Sequence, residues 1–389
     1  MNFESRPCPI CACPQRRLLY RQNFQENSVS LLAGYEVVVC KDCGFVYADK
    51  IPSQDEFDNY YAVMSKYEFN DKNGVANEDY VGYFKKIFKF LSPYIGNKNA
   101  KILDIGCSTG ALLSVFKSNG YKNLLGIDPS PSCVKTAKEL YNIEASVNNV
   151  SNFKTSEKFD LIILSAVLEH LLDFGALLPQ IRSLLKDTGL LFVEVPDAER
   201  FSLFISTPFQ QFSTEHINYF TRRSIENLLK RFYLKLIKIK QNKHKINFIT
   251  DPDLFILCTK ADKKKFEITR DEAGEASIKD YKARCTKISF DIKKTIQEKL
   301  DGKNKIIVWG AGTHTLKLIG SGLDLSRILY FVDSNKRYVG KNIKGIAVKQ
   351  PEDIKEDVPI LISTYSYQEE IARQIKEILK LNNEIIKIY

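Results

Sequence analysis

Short apolar runs alternate with amphipathic stretches through the central part of the chain. The apolar runs predict strands, and the apolar spacing of three and four between them predicts helices. The predicted strands are 101–105, 124–128, 143–147, 159–165 and 189–195, with helices at 109–119, 131–141 and 175–186 and two further strands near 234–240 and 253–259. Such an alternation favours a parallel sheet with helices on both faces, so the predicted fold class is α/β.

The regions on either side have different patterns. Residues 51–95 are predicted to be mostly helical. Residues 263–303 are predicted to form a long amphipathic helix that packs between domains, with a dimer seam as the alternative. From residue 304 the α/β pattern restarts, with strands at Lys305–Trp309 and Ile328–Val332 and a helix from Leu316. The predicted domains are 1–85, 86–262, 263–303 and 304–389.

The composition supports several folded domains and adds little about partners. A chain of 389 residues is too long for one ordinary core, and 44% hydrophobic with 27% charged residues is typical of a globular protein. The net charge of +10 comes mainly from dispersed lysines, which favours a solvated surface over a nucleic-acid site. No apolar run approaches ~20 residues and the N-terminus lacks an apolar signal region, so we expect a cytoplasmic protein without a membrane span.

Cysteines cluster near the N-terminus, where five of the nine lie within the first 43 residues. The pairs Cys8-x-x-Cys11 and Cys40-x-x-Cys43 can each sit on a tight turn and present two thiolates to one metal ion. Four sulfur ligands leave no open position, so the prediction is a structural zinc ribbon, with a redox pair as the alternative. Cys13 is expected to be a bystander.

A small-residue loop follows the first strand of the α/β region. It contains Asp104, Gly106, Cys107 and Gly110, and the next strand ends in Asp128. Glycines at a strand–helix turn let backbone N–H groups approach a ligand, and an acid about 20 residues further on suits a ribose diol. The spacing does not fit G-x-G-x-x-G, and any Rossmann-like turn remains an alternative.

The loop D-x-G-x-x-x-G followed by G-I-D resembles the S-adenosylmethionine (SAM) site of class I methyltransferases. The resemblance implies a seven-stranded sheet, with the first loop holding the methionine part of SAM and Asp128 holding its ribose. It also places Ser165 and Ala166, at the end of the fourth strand, against the cofactor. His170, four residues after Ala166 and on the helix that is expected to follow the strand, is expected to be structural more often than catalytic.

An insert after the fifth predicted strand carries Glu215 and His216 between aromatic residues. A histidine titrates near neutral pH and can accept a proton, and a neighbouring carboxylate can orient it. Together with the four cysteines and the Rossmann-like C-terminal region, this resembles the sugar-nucleotide C-methyltransferases of deoxysugar biosynthesis. The resemblance implies that His216 is the base and Glu215 its acidic neighbour, although Ser213 stands where that family usually has a tyrosine.

The C-terminal region carries a second glycine turn at Gly310-Ala311-Gly312. Because the third glycine of the dinucleotide fingerprint is absent, a second NAD site is not expected. The resemblance implies that this domain helps enclose a sugar nucleotide, which gives the candidate substrate-binding residues Thr313, His314 and Tyr365, with packing as the alternative for each. Tyr219, in the aromatic insert after the fifth strand, is a further candidate substrate-binding residue. Tyr60, Tyr61 or Tyr67 could cap the cofactor pocket.

The sequence therefore supports three hypotheses of function. The first is SAM-dependent C-methylation of a nucleotide-linked keto sugar, with zinc as a second, structural cofactor. The second is O- or N-methylation of a glycan or other small molecule. The third is a zinc-ribbon nucleic-acid module, against which the intact SAM loop argues. We expect a small-molecule partner and a monomer or homodimer.

Overall fold

A computed structural model of the chain describes residues 3–24, 32–63, 75–150, 152–246, 249–336, 338–364 and 367–388, leaving aside the side chains of 58, 61–63, 313, 314 and 317. The chain divides into two compact units. The first comprises the described residues up to Lys282 except Ile205–Gln210, and the second comprises Ile205–Gln210 and the residues from Ala283 onward. The four predicted domains stay a prediction.

The strands and helices of the first unit follow the predicted alternation. The strands are β1 (Arg16–Asn23), β2 (Gly34–Cys40), β3 (Val46–Asp49), β4 (Lys101–Ile105), β5 (Asn123–Asp128), β6 (Glu144–Val147), β7 (Phe159–Ser165), β8 (Leu185–Pro196), β9 (Asn218–Tyr219), β10 (Leu234–Ile246) and β11 (Ile249–Lys260). The helices are α1 (Gln54–Val63), α2 (Glu78–Leu91), α3 (Ala111–Ser118), α4 (Pro131–Tyr141), α5 (Phe174–Leu184), α6 (Arg222–Arg231) and the first part of α7 (Glu272–Lys299).

Within the described residues, a seven-stranded sheet has the order β10-β11-β8-β7-β4-β5-β6. Strand β4 pairs in parallel with β5 on one side and with β7 on the other, while β10 and β11 form an antiparallel hairpin. The chain runs from β4 outward through β5 and β6 and then returns to the other side of β4. Ligands of open α/β sheets bind at the carboxyl ends of the strands beside such a reversal, so the loops after β4, β5 and β7 are the expected binding edge.

The helix before β8 ends earlier than the sequence pattern indicates. The predicted helix 175–186 and strand 189–195 are observed as α5 ending at Leu184 and β8 beginning at Leu185. The reason is tertiary pairing, because Leu185 already lies opposite Phe159 in β7. Pairing across a sheet involves residues distant in sequence, so the pattern of a single segment does not reveal it.

The cysteine-rich segment forms a separate antiparallel sheet in the order β1-β2-β3-β9. Its last strand comes from the insert after β8, since Val46 pairs with Tyr219 and Tyr47 pairs with Asn218. Arg6 strengthens the same junction by donating to the backbone oxygens of Ala48 and Ile217. The N-terminal sheet and the insert are therefore held together within the first unit.

The second unit has its own α/β sheet, as the C-terminal pattern predicts. Its strands are β12 (Ile306–Trp309), β13 (Ile328–Val332), β14 (Asn342–Ile343), β15 (Ile346–Lys349), β16 (Ile360–Ile362) and β17 (Ile385–Lys387), and its shorter helices are α8 (Thr313–Gly320) and α9 (Gln368–Arg373). The order is β14-β15-β13-β12-β16-β17, with parallel pairing on both sides of β12. Among the described residues of the whole chain, no helix combines the length and apolarity needed to cross a membrane.

Candidate functional site

The loop between β4 and α3 has a backbone that glycine makes possible. Gly106 and Gly110 have φ angles of +76° and +79°, in the left-handed region. A Cβ atom on Gly106 would lie 2.8 Å from Cγ2 of Val167, and one on Gly110 would lie 2.9 Å from Cβ of Ala137. Both glycines are therefore required by conformation and by close packing, and the turn brings the segment after β7 against the loop.

Asp128 at the end of β5 is held rigidly beside this loop. Its Oδ2 accepts a hydrogen bond from the Ser108 N–H at 2.8 Å, and its Oδ1 accepts one from the Ser130 N–H at 2.9 Å. Burial raises the pKa of Asp128, and these two hydrogen bonds oppose that rise. Each carboxylate oxygen keeps further acceptor capacity, so the group can also accept hydrogen bonds from two neighbouring hydroxyls.

Asp104 in β4 is a buried acid with only 2% of its surface exposed. Burial, and secondarily the charge of Asp128, raises the pKa of Asp104 well above its ordinary value. A cationic ligand at this edge would favour the ionised carboxylate of both residues. The glycine loop and the two acids, Asp104 and Asp128, are compatible with SAM, which carries an ammonium group, a sulfonium group and a ribose.

Ser165 and Ala166 lie at the end of β7, as predicted. The Ser165 hydroxyl donates to Oε2 of Glu194 at 2.9 Å, and the Ala166 N–H donates to the Glu194 backbone oxygen at 3.1 Å. Ala166 has a φ of +54°, unusual for a residue with a side chain. After this turn Val167 packs against Gly106, so the loops that follow the paired strands β4 and β7 are in contact.

A group of buried ionisable residues beside β7 was not found by the sequence analysis. Burial and the charge of Asp253 raise the pKa of Glu194 to about 7, while His244 and Ser165 oppose the rise. His244 Nδ1 lies 2.8 Å from Oδ2 of Asp253, and the His244 ring lies 4.4 Å from that of Tyr83. These residues come from α2, β8, β10 and β11, so no local motif contains them.

The insert residues Glu215 and His216 are fixed by Ser213. The Ser213 hydroxyl oxygen accepts the N–H of Glu215 at 3.3 Å and that of His216 at 3.0 Å. The Tyr60 hydroxyl donates to Oε1 of Glu215 at 3.2 Å, and burial followed by the charge of Glu215 raises the pKa of Tyr60 to about 12. Ser213, at the position where the resembled family has a tyrosine, therefore has a local structural role here.

The structure brings His170 next to this insert. His170 Nδ1 lies 2.9 Å from the backbone oxygen of Glu215, and the rings of His170 and His216 lie 5.1 Å apart. The two segments are also joined where the Ile217 N–H donates to the Glu169 oxygen at 2.9 Å. The turn after β7, Leu168–His170, and the insert after β8 therefore form one wall beside the end of β7.

The structure describes the predicted substrate residues only in part. The expectation that Tyr219 contacts the substrate is corrected, because its side chain is part of the interior. Tyr219 is only 1% exposed, and its hydroxyl lies 2.9 Å from that of Tyr35. The side chains of Thr313 and His314, and all of Tyr365, lie outside the described residues. The same holds for the Tyr61 side chain and for Tyr67, which leaves Tyr60 as the described member of the predicted tyrosine cap.

The second glycine turn repeats the arrangement of the first. The Ala311 N–H donates to Oδ2 of Asp333 at 2.8 Å, just as the Ser108 N–H donates to Asp128. Gly310 has a φ of +120° and packs against Ser363, whose hydroxyl lies 2.7 Å from that of Thr315. The need for glycine here is explained by internal packing.

The four predicted metal ligands come together beside the N-terminal sheet, at the end of β2. Sγ of Cys8 lies 3.5 Å from Sγ of Cys43, and Sγ of Cys11 lies 3.4 Å from Sγ of Cys40. Tetrahedral zinc with Zn–S bonds of about 2.3 Å would separate its sulfur atoms by about 3.8 Å, so the donor set fits zinc closely. Cys13 bonds instead to Gln15, its Sγ lying 3.1 Å from Oε1, which agrees with its expected role as a bystander.

Two parts of the chain match models of known protein families. Residues 77–239 match the family model described as "Methyltransferase domain". Residues 302–386 match a second model, described as "C2185-like, N-terminal". The first match contains the glycine loop, Asp128, and both Glu215 and His216.

Curated relatives match a shorter part of the chain. The ubiquinone biosynthesis O-methyltransferase of Rhodopseudomonas palustris (strain TIE-1) is 34% identical over 98 residues, which is 24% of this chain and 38% of that protein. The protein of the same name from Pelagibacter ubique (strain HTCC1062) is 33% identical over 113 residues, 28% of this chain and 47% of the relative. The chain thus aligns with less than half the length of these relatives.

Two solved structures are similar to part of this chain. The 1,6-didemethyltoxoflavin-N1-methyltransferase of Burkholderia thailandensis, with bound S-adenosylhomocysteine, has a TM-score of 0.43 at 16% identity and covers 57% of this chain and 98% of its own. The PH0226 protein of Pyrococcus horikoshii OT3 has a TM-score of 0.40 at 17% identity, and the match covers 52% of this chain and 98% of the PH0226 chain. The family match therefore assigns residues 77–239 to a methyltransferase domain, which is a domain of enzymes.

Proposed function

We propose that this chain transfers a methyl group from SAM to a small acceptor at the carboxyl edge of the seven-stranded sheet. The observation that carries the proposal is the loop Gly106–Gly110 with Asp128 fixed beside it, within a segment that matches a methyltransferase domain. SAM supplies an electrophilic methyl group on a sulfonium. The residues of the chain bind this donor, align the acceptor behind the methyl group and exclude water.

We propose further that the cofactor contacts follow the predicted set. The loop at Gly106, Cys107 and Gly110 would hold the methionine part, and Asp128 would accept from the ribose hydroxyls. Asp104 would lie near the cationic groups, where its ionised form is favoured over the neutral form that burial imposes. Ser165 and Ala166 support this arrangement, because the turn they form brings Val167 to Gly106.

The acceptor we favour is a nucleotide-linked keto sugar methylated at carbon, which rests on the resemblance described above. A C–H group beside a carbonyl is acidic enough to lose its proton to an imidazole, and His216 is the residue proposed to take it. Ser213 fixes the backbone of His216, and Tyr60 fixes the carboxylate of Glu215 beside it. Glu215 and His216 border the turn after β7, and this turn lies next to the proposed donor site.

The test is proton exchange without the methyl donor. Keto sugar nucleotides incubated with the protein in deuterated water should exchange the proton next to the carbonyl, and His216→Ala should abolish this exchange. Calorimetry with S-adenosylhomocysteine on the same variant is the control, because its affinity should remain unchanged. Absence of exchange with every keto sugar tried would refute C-methylation while leaving methyl transfer itself open to test by donor binding.

Methylation of an oxygen atom is the second candidate. It is favoured by the names of the curated relatives, which are O-methyltransferases over the aligned 98 to 113 residues. An oxygen nucleophile needs only a hydroxyl proton removed, which the same wall could accept. Carbon NMR of the product of a ¹³C-methyl donor separates the candidates, since methyl groups on oxygen and on carbon differ by tens of parts per million in chemical shift.

We also propose that Cys8, Cys11, Cys40 and Cys43 bind one structural zinc ion. Three of these side chains are buried and Cys11 is half-buried, and all four positions of a tetrahedral ion would be filled by sulfur. The ion would connect the segment before β1, through Cys8 and Cys11, to the end of β2 and the turn after it, through Cys40 and Cys43. Metal analysis of the purified protein tests the proposal, with one zinc ion per chain expected.

A further inference from the structure

Three side chains of metal-ligand type converge on the wall beside the end of β7. They are Glu169 and His170 from the turn after β7 and His216 from the insert after β8. One ligand atom of each lies within 4.8 Å of the corresponding atoms of the other two. His216 lies more than 40 residues after Glu169 and His170 in the sequence, so this group is apparent only from the fold.

The Glu169 carboxylate is the most unusual member of the group. Only 1% of the residue is exposed, and in the described part of the chain its Oε2 atom has no hydrogen-bond partner. A buried carboxylate oxygen without a partner is costly and calls for a specific reason. The other oxygen, Oε1, lies 3.7 Å from Nε2 of His170.

The contacts of His170 indicate which of its two ring nitrogens is protonated and which one faces the Glu169 carboxylate. Nδ1 lies 2.9 Å from the backbone oxygen of Glu215. A carbonyl oxygen only accepts, so Nδ1 carries the hydrogen and donates. In the neutral ring Nε2 is then an acceptor, and it faces the Glu169 carboxylate, which is also an acceptor when ionised. A histidine held in this way by a backbone carbonyl is the usual arrangement of a metal-binding imidazole.

We propose that Glu169, His170 and His216 form a binding site for one divalent transition-metal ion. Two imidazole nitrogens and one carboxylate form a common set of protein ligands for such ions and leave further coordination positions open. With ligand bonds of about 2.0–2.1 Å, a tetrahedral ion would separate its ligand atoms by about 3.4 Å. The 3.7 Å between Glu169 Oε1 and His170 Nε2 needs little adjustment to reach that separation.

The open coordination positions indicate the chemistry of the ligand. Glu169 is buried, whereas His170 and His216 are half-buried, so the accessible side of the ion is the side of the two histidines. An acceptor with two neighbouring oxygen atoms, such as a hydroxy ketone or a diol, would complete the coordination. This role in acceptor binding rests on the proposed function, whereas the metal site does not.

The assignment changes what His216 does in the loaded protein. A ring nitrogen that ligates the ion cannot accept the acceptor proton, so the cation would then acidify the acceptor by binding its oxygen. In the metal-free protein the same imidazole is available as the base. Proton exchange measured with and without added metal ion therefore distinguishes the two roles.

The test uses Mn²⁺ as the probe on the whole chain loaded with one equivalent of Zn²⁺, which the four soft thiolates bind in preference, so that the site at Glu169 stays open to Mn²⁺. Electron paramagnetic resonance of free Mn²⁺ should show one bound ion per chain. Glu169→Gln, His170→Ala and His216→Ala should each weaken binding by about tenfold or more. Glu139→Gln, at an exposed carboxylate of α4, should bind Mn²⁺ as the unaltered protein does.

A spectroscopic measurement guards against variants that fail to fold. Electron spin echo modulation of bound Mn²⁺ in the unaltered protein should show coupling to imidazole nitrogen, reduced in His170→Ala and His216→Ala. Absence of nitrogen coupling, or equal Mn²⁺ binding by all variants, would overturn the proposal. Calorimetry with S-adenosylhomocysteine keeps the two proposals distinct, because donor binding that persists without Mn²⁺ binding would refute only the metal site.

Discussion

Replacing Gly106 with alanine tests the geometry of the glycine loop directly. An alanine forced into the left-handed region, at a φ of +76°, costs roughly 1–2 kcal/mol. Its methyl group would lie 2.8 Å from Cγ2 of Val167, well inside the ~3.5–4.0 Å of an ordinary carbon contact. Moving Val167 off its rotamer adds about 0.5–1.5 kcal/mol. We therefore expect Gly106→Ala to lower the free energy of unfolding of the first unit by about 2–3 kcal/mol.

The same substitution should weaken donor binding. The Gly106 and Cys107 N–H groups donate to the Ile127 oxygen at 2.8 and 3.1 Å, so a distorted loop also displaces the backbone beside Asp128. Calorimetry with S-adenosylhomocysteine, performed well below the melting temperature of the variant, should show at least about a tenfold loss of affinity, equivalent to about 1.4 kcal/mol. Denaturant unfolding followed by circular dichroism measures the stability.

Two further variants separate the causes. Gly82 lies exposed within α2, and a Cβ atom there meets nothing within 4 Å, so Gly82→Ala should stabilise the protein by about 0.5–1 kcal/mol. Adding Val167→Ala to Gly106→Ala should recover the part of the loss that comes from the close contact, but not the part due to φ. If Gly106→Ala unfolds and binds as the unaltered protein does, the account of the loop is wrong.

Three other predictions concern single groups. Asp128→Asn should weaken S-adenosylhomocysteine binding by about tenfold or more, because a charged hydrogen bond contributes roughly 1.5–3 kcal/mol; unchanged affinity by calorimetry would contradict the ribose contact. Cys8→Ser should remove the zinc found by metal analysis, whereas the matched variant Cys13→Ser should retain it, and equal zinc content in both would refute the four-cysteine site. Burial lowers the pKa of His244, but the hydrogen bond and charge of Asp253 outweigh it and raise the pKa above its ordinary value. The stabilisation by His244 relative to His244→Asn should therefore be fully present below about pH 6.5 and be lost as the pH rises through the folded-state pKa, and a difference independent of pH in urea unfolding would contradict this.

The sequence predicted what is encoded within one segment. The apolar run before Gly106 is β4, and the acid after the next strand, Asp128, lies beside the loop as expected. Both cysteine pairs meet, because each pair needs only a tight turn and the two turns need only one sheet between them. These features depend on spacing and side-chain type, which a single sequence contains.

Contacts between distant segments could not be predicted in this way. Glu194, His244 and Asp253 come together only through the register of β8 with β11 and of β11 with β10. Tyr219 was expected at the substrate because it lies in an aromatic insert, but pairing of β9 with β3 places it in the interior. Periodicity indicates that a residue belongs to a strand, but it does not indicate which strand lies alongside.

Buried acids at the binding edge connect the cofactor site with the inferred metal site. Burial raises the pKa of Asp104 and of Glu169 well above their ordinary values, and in each case a neighbouring carboxylate, Asp128 or Glu194, adds to the rise. A carboxylate kept from water is stabilised in its ionised form by a nearby cation. The proposed donor and the proposed metal ion are both cations, so each would relieve the unfavourable burial of the acid it meets. The carboxyl edge of this sheet is therefore electrostatically suited to positively charged ligands, and the tests on Asp128 and on Glu169 examine that property at two separate places.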